Sequence, residues 1–147
     1  MTIQFVENDG GRAAAGFKGA AGDCVCRAVA IASGIPYAEV YSRLAKATGA
    51  QRPGKRGQRS SSARNGINTN RKWFSDYMQS IGFTWTPTMK IGSGCKVHLS
   101  ADELPPGRLV VMASRHAAAV INGVLHDTHD SSRGGSRCVY GYWKLAA

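Results

Sequence analysis

The sequence predicts an α+β fold, with helices in its first half and antiparallel strands in its last third. Two helical stretches, 23–34 and 37–48, carry apolar residues at three- and four-residue spacing between start and stop signals. A third, about 68–81, places Trp73, Phe74, Tyr77, Met78 and Ile81 on one face. After residue 107 the pattern changes to short apolar runs broken by turn residues, with Asn122-Gly123 as the strongest hairpin signal.

The first helix runs from Asp23, a good N-cap residue, to Gly34, which takes the left-handed stop conformation without steric cost. Ile35-Pro36-Tyr37 opens the second, since proline suits a first turn that needs no N–H. Tyr37, Val40, Tyr41 and Leu44 form its apolar face, and Thr48-Gly49 ends it. The two should pack as a hairpin. Gly82 stops the third helix, and Phe83–Thr86 reads as a strand. A short strand is expected at Ile3–Val6 and another near Val97–Leu99. Arg108–Ala113, Arg115–Ile121, Val124–Thr128 and Cys138–Leu145 complete the strands.

The length, 147 residues, fits one domain over 1–147 with its own core. A low-complexity basic segment at about 50–67 reads as a flexible loop inside it. No apolar run approaches the ~18 residues of a membrane span, and the N-terminus lacks the pattern of a secretion signal. A cytoplasmic location with reduced thiols is therefore expected, the host cytoplasm if the chain is phage-encoded. The spacing of Cys24, Cys26, Cys95 and Cys138 matches no zinc pattern, so neither a metal nor another cofactor is expected.

The net charge is +10, and seven of 19 basic residues lie between Arg52 and Lys72 with no acid among them. Arg52, Lys55, Arg56, Arg59 and Arg64 are candidates for contact with nucleic acid or an acidic protein. The bland alternative is a solvated loop.

Chemistry points elsewhere. Cys24 falls in the first helical turn, where the dipole and free N–H groups favour a thiolate. Cys26 lies about 200° further round the helix, so only one of the two can face a given partner. Hairpin register then sorts the four histidines. A two-residue Asn122-Gly123 turn pairs Ile121 with Val124 and Ala119 with His126. Period-2 alternation puts His116 and Asp127 on one face as diagonal neighbours, with Ala118 leaving room between them. A thiol with an imidazole to move its proton, and a carboxylate to orient that imidazole, is a nucleophilic site. His129 and Asp130 are spare candidates for flanking or replacing Asp127.

With Asp23-Cys24 opening a helix, His116 opening a strand (HAAAVINGVLHD) and Asp127 on the next strand, the chain resembles the papain-like cysteine peptidase superfamily. The likeness is to domains that process bacteriocin leaders and to small papain-like proteins of phages and bacteria. It covers most of the chain as a pattern and about fifteen residues as motif. It implies N-terminal helices packed on a C-terminal antiparallel sheet, with Cys24 as nucleophile, His116 as base and Asp127 as orienting acid. It also implies a protein or peptide substrate, no membrane partner, and acyl-enzyme chemistry as a peptidase or isopeptidase. The superfamily usually carries a glutamine about six residues before the cysteine, and Lys18 stands there. Lys18 and Asn8 are the side-chain candidates for holding an oxyanion, beside backbone N–H groups. The other reading is a catalytically weak module on the same fold that binds through its basic loop.

Overall fold

A computed structural model describes residues 3–16, 23–50, 69, 71–89, 92 and 94–146, the side chains of 48–50 excepted. The described elements are β1 (Gln4–Glu7), α1 (Cys24–Ser33), α2 (Tyr37–Ala50), α3 (Lys72–Ser80), β2 (Phe83–Pro87), β3 (Arg108–Ala113), β4 (His116–Ile121), β5 (Val124–Asp127) and β6 (Gly141–Leu145). The fold class is α+β. The six strands form one sheet in the order β1-β5-β4-β3-β6-β2. The basic residues Arg52, Lys55, Arg56, Arg59 and Arg64 lie outside the described residues, as does Lys18.

The sheet is mixed rather than antiparallel. β1 runs parallel to β5, with Gln4 opposite Val124 and Glu7 opposite Asp127. All other neighbours are antiparallel. The N-terminal strand thus covers the free edge that the β4–β5 hairpin leaves, a pairing no local pattern announces.

The hairpin itself follows its turn chemistry. Asn122 (φ 49°) and Gly123 (φ 79°) both take positive φ, as a type I′ turn requires. Ile121 faces Val124 and Ala119 faces His126. The β3–β4 turn is equally tight: Ala113 pairs with His116 across Ser114 and Arg115, the latter at φ 55°.

Side-chain alternation gives the sheet two covered faces. Val110, Ala117, Ala119 and Trp143 meet the helices, packing with Cys26, Val29, Val40, Leu44, Phe74 and Met78. Leu109, Val111, Ala118, Val120 and Leu125 point the other way, under Ile3, Leu99, Leu104 and Val139. Small residues on both surfaces, Ala28 and Ala32 against Ala117 and Ala119, let α1 lie close over β4. Each large side chain fully buried here contributes roughly 1.5–3 kcal/mol.

The helix ends match expectation at Gly34 and depart from it elsewhere. Gly34 stops α1 in the left-handed region (φ 79°), its N–H bonded to the Ala30 carbonyl at 3.0 Å. Arg108 reaches from β3 to the Ile31 carbonyl at the same end. Asp23, however, makes no side-chain cap; its carboxylate is drawn into a buried ion pair instead. α2 continues through Gly49 to Ala50, and α3 begins at Lys72. The segment near Val97–Leu99 is a single bridge, His98 to Cys138, and the last strand starts only at Gly141.

That bridge brings Cys95 and Cys138 together, with 5.8 Å between their Cα atoms, as a disulfide. The expectation of reduced thiols at these two positions is corrected accordingly. Backbone pairing of Val139 N–H with the Val97 carbonyl holds the two segments side by side. No described helix is long and apolar enough to cross a membrane.

Candidate active site

Three elements meet at one end of the sheet. α1 starts there with Cys24, β4 starts there with His116, and β5 ends there with Asp127. The first intrahelical bond of α1 runs from Arg27 N–H to the Asp23 carbonyl at 3.1 Å. The N–H groups of Cys24, Val25 and Cys26 therefore lie ahead of the helical ladder.

Cys24 is half-buried and Cys26 fully buried. Their thiols diverge. Burial pushes Cys24 up, but a hydrogen bond with His116, the backbone N–H of Ala117 and the charges of His116 and Arg27 together bring it below its ordinary value. Burial and the charge of Asp23 push Cys26 to about 12, so it stays a neutral core residue.

Nε2 of His116 lies 2.6 Å from Oδ2 of Asp127, which leaves Nδ1 for Cys24. Burial opposes protonation of His116, but the bonds to Asp127 and Cys24 win and raise it to about 9. Asp127 is buried, which favours its neutral form. Bonds from His116, Ser131 Oγ (2.8 Å) and the Thr128 N–H (2.7 Å) outweigh that and hold it below the usual range. The combination favours a thiolate–imidazolium pair beside an ionised carboxylate.

A second ring of charge supports this one. The Asp23 carboxylate, 1% exposed, is ion-paired with Arg27 and receives the Tyr37 hydroxyl. Arg12 Nε approaches it at 3.0 Å. The other arm of Arg27 points at Asp127 Oδ1, 4.0 Å away. Arg27 thus stands between the carboxylate that anchors α1 and the one that orients His116. Arg137 ties two turns together, donating to the Ser114 carbonyl at 2.7 Å and the Ser131 carbonyl at 3.3 Å. Residue-by-residue reading of the sequence missed Arg27, Tyr37, Ser131 and Arg137. The i,i+4 spacing of Asp23 and Arg27 was the available signal for the first.

Of the spare candidates, His129 flanks the site, its ring centroid 5.6 Å from that of His116. Asp130 instead caps its own turn, accepting from the Ser132 N–H and hydroxyl. Asn8 comes close through its backbone, donating to the Asp127 carbonyl at 2.8 Å. Its side chain is engaged away from the sulfur: Oδ1 accepts from Gly10 N–H, and Nδ2 lies 3.5 Å from Nδ1 of His126.

A cavity of about 600 Å³ is lined by Gln79, Trp85, Met112, Ala113, Tyr140 and Trp143 among others, with none of Cys24, His116 and Asp127 in its wall. Ala113 and Met112 are the strand partners of His116 and Ala117, so the cavity begins one residue pair from the imidazole. Its walls are mostly apolar and aromatic. Comparison of the chain with known protein families, with curated proteins and with solved structures found no match.

Proposed function

We propose that the protein is a thiol hydrolase of papain-like organisation, acting on a peptide or isopeptide bond. The hydrogen-bonded chain from Cys24 through His116 to Asp127, built from three separate elements, carries this reading. Nucleophile, base and orienting group are each in contact with the next, as activated-cysteine chemistry requires.

In the reaction, the Cys24 thiolate attacks the carbonyl carbon of the substrate, and the carbonyl oxygen takes up the negative charge. N–H groups at the start of α1 face that charge, and the helix dipole adds to their effect. His116 then gives its Nδ1 proton to the leaving amine as the C–N bond breaks, forming a thioester on Cys24. Water enters, His116 takes its proton, and the hydroxide attacks the thioester to release the acid and regenerate the thiolate. Asp127 keeps Nε2 bonded throughout, which fixes the ring so that Nδ1 meets the sulfur.

The cavity next to Ala113 suits a large apolar or aromatic side chain of the substrate, next to the reacting carbonyl. A peptide electrophile carrying such a side chain should form one covalent adduct, located on Cys24 by mass spectrometry. His116→Ala should slow its formation at least about 100-fold, the low end of what a positioned base supplies. Adduct formation at Cys26, or equal rates with and without His116, would refute the assignment.

A further inference from the structure

His116, Asp127 and His129 together offer one nitrogen or oxygen each, and these three atoms lie within 4.8 Å of one another. Two imidazoles and a carboxylate are a donor set that suits Zn²⁺ and similar divalent transition ions, with water in the fourth place. Each of the three side chains is held by a neighbour. Nδ1 of His129 sits 3.3 Å from Thr128 Oγ1, so the contact with the hydroxyl leaves Nε2 as the nitrogen for an ion. Asp127 keeps Oδ1 bonded to the Thr128 N–H, while Oδ2 faces the histidine and is held in place by the Ser131 hydroxyl at 2.8 Å, which leaves it further acceptor capacity. His116 has its remaining nitrogen on Cys24. Each ligand thus has an outer partner that orients it. His129 is exposed while Asp127 is buried, so the cluster is open to solvent on one side only.

We propose that this cluster is a site for a Zn²⁺-class ion that switches the triad off. Binding takes the Nε2 lone pair of His116 and releases its proton to solvent, replacing the hydrogen bond to Asp127 by two metal bonds. With the ion on Nε2, Nδ1 keeps its hydrogen facing Cys24. Giving that hydrogen to a leaving amine would now produce an imidazolate, so the acid step of the reaction is lost. Catalysis and metal binding therefore compete for the same nitrogen. His129 is required only by the second. The binding itself stands on side-chain placement alone; its effect on turnover rests on the thiol-hydrolase reading.

The test is calorimetric titration of the full chain with ZnCl₂, paired with visible spectra of the Co²⁺ form. Cys24→Ala should bind one ion with affinity close to that of the unaltered protein, and its Co²⁺ spectrum should lack sulfur-to-metal charge transfer. His129→Gln should weaken binding at least about tenfold, in the range expected for loss of a metal-supporting group. Asp127→Asn should weaken it too. In the hydrolysis assay, Zn²⁺ should inhibit reversibly, with chelator restoring activity, and His129→Gln should keep basal turnover while resisting the metal. Loss of binding in Cys24→Ala would overturn the proposal, because the ion would then be a thiolate adduct. Unchanged binding in His129→Gln, or faster turnover with Zn²⁺, would overturn it as well. A chain that binds Zn²⁺ through His129 but hydrolyses nothing would keep the site and remove the hydrolase.

Discussion

His116 and Asp127 are eleven residues apart and sit on adjacent antiparallel strands, yet their side chains meet at 2.6 Å. The contact is diagonal across the β4–β5 hairpin, and the small Ala118 beside it leaves it unobstructed. This pair sets the proton affinity of the site and hence its working pH.

The pH–rate profile should be bell-shaped. Cys24 is shifted down, so the acid limb lies below the ordinary thiol range. His116 is raised to about 9, and loss of its proton above that value removes the acid needed for the leaving group. Activity is therefore expected between the two limbs, which belong to the coupled pair. Asp127→Asn removes a charge that favours the imidazolium, so the alkaline limb should move down. Turnover should also fall by roughly 10²–10⁴-fold, the usual contribution of a well-placed proton-transfer group. Measurement of kcat/KM against pH for both proteins decides this, and an alkaline limb that does not move would count against the pairing.

Asp23 holds charges that are otherwise deprived of water. Asp23→Ala should destabilise the fold by about 3–5 kcal/mol, because the mostly buried Arg27 loses its ion-pair partner. Tyr37→Phe removes only one hydrogen bond to that carboxylate and should cost about 1–3 kcal/mol. Urea denaturation gives both values. The order of the two effects is the informative result.

Gly141 is the strand partner of Pro87, and the Trp85 ring lies across it. A Cβ there would overlap that ring and stand 2.9 Å from the Thr86 carbonyl oxygen. Gly141→Ala should cost about 1–3 kcal/mol by overpacking. It should also displace Trp85 from the cavity wall. On peptides with a large aromatic side chain, KM should rise more than kcat falls. Labelling of Cys24 by a small alkylating reagent should be unchanged.

Thiol counting separates the four cysteines. Unfolded without reductant, the chain should show two reactive thiols, Cys24 and Cys26, and after reduction four. In the native state Cys24 alone should react readily, since Cys26 is fully buried. The Cys95–Cys138 link closes a 43-residue separation, for which the chain-entropy account gives about 4 kcal/mol. Reduction should accordingly lower Tm.

The candidate triad was legible in the sequence because its determinants are short-range. A type I′ turn at Asn122-Gly123 fixes register, register fixes which side chains share a face, and Gly34 with its preceding turns fixes where α1 lies. Most of the rest depends on partners far apart in the chain, Arg27 at i,i+4 from Asp23 being the exception. Asp23 has the residue type of a cap, but Arg12, Arg27 and Tyr37 converge on it and take its carboxylate. The pairing of β1 with β5 joins residues about 120 positions apart, and Cys95 meets Cys138 only because His98 bridges to Cys138. None of these long-range partners follows from periodicity or turn chemistry.

One consequence follows from Met112 and Ala113, where β3 turns toward β4. The proposed reacting groups sit on α1, β4 and β5, whereas the cavity wall comes from α3, β2, β3, β6 and the segments that precede α3 and β6. The two sets touch along the pairs Met112–Ala117 and Ala113–His116. Substitutions at Trp85, Tyr140 or Gln79 can therefore accumulate without passing through the triad. If the proposed chemistry holds, such a chain is free to change what it recognises by drift while keeping its nucleophile, and a directed library confined to those three positions would sample new preferences on an unchanged Cys24.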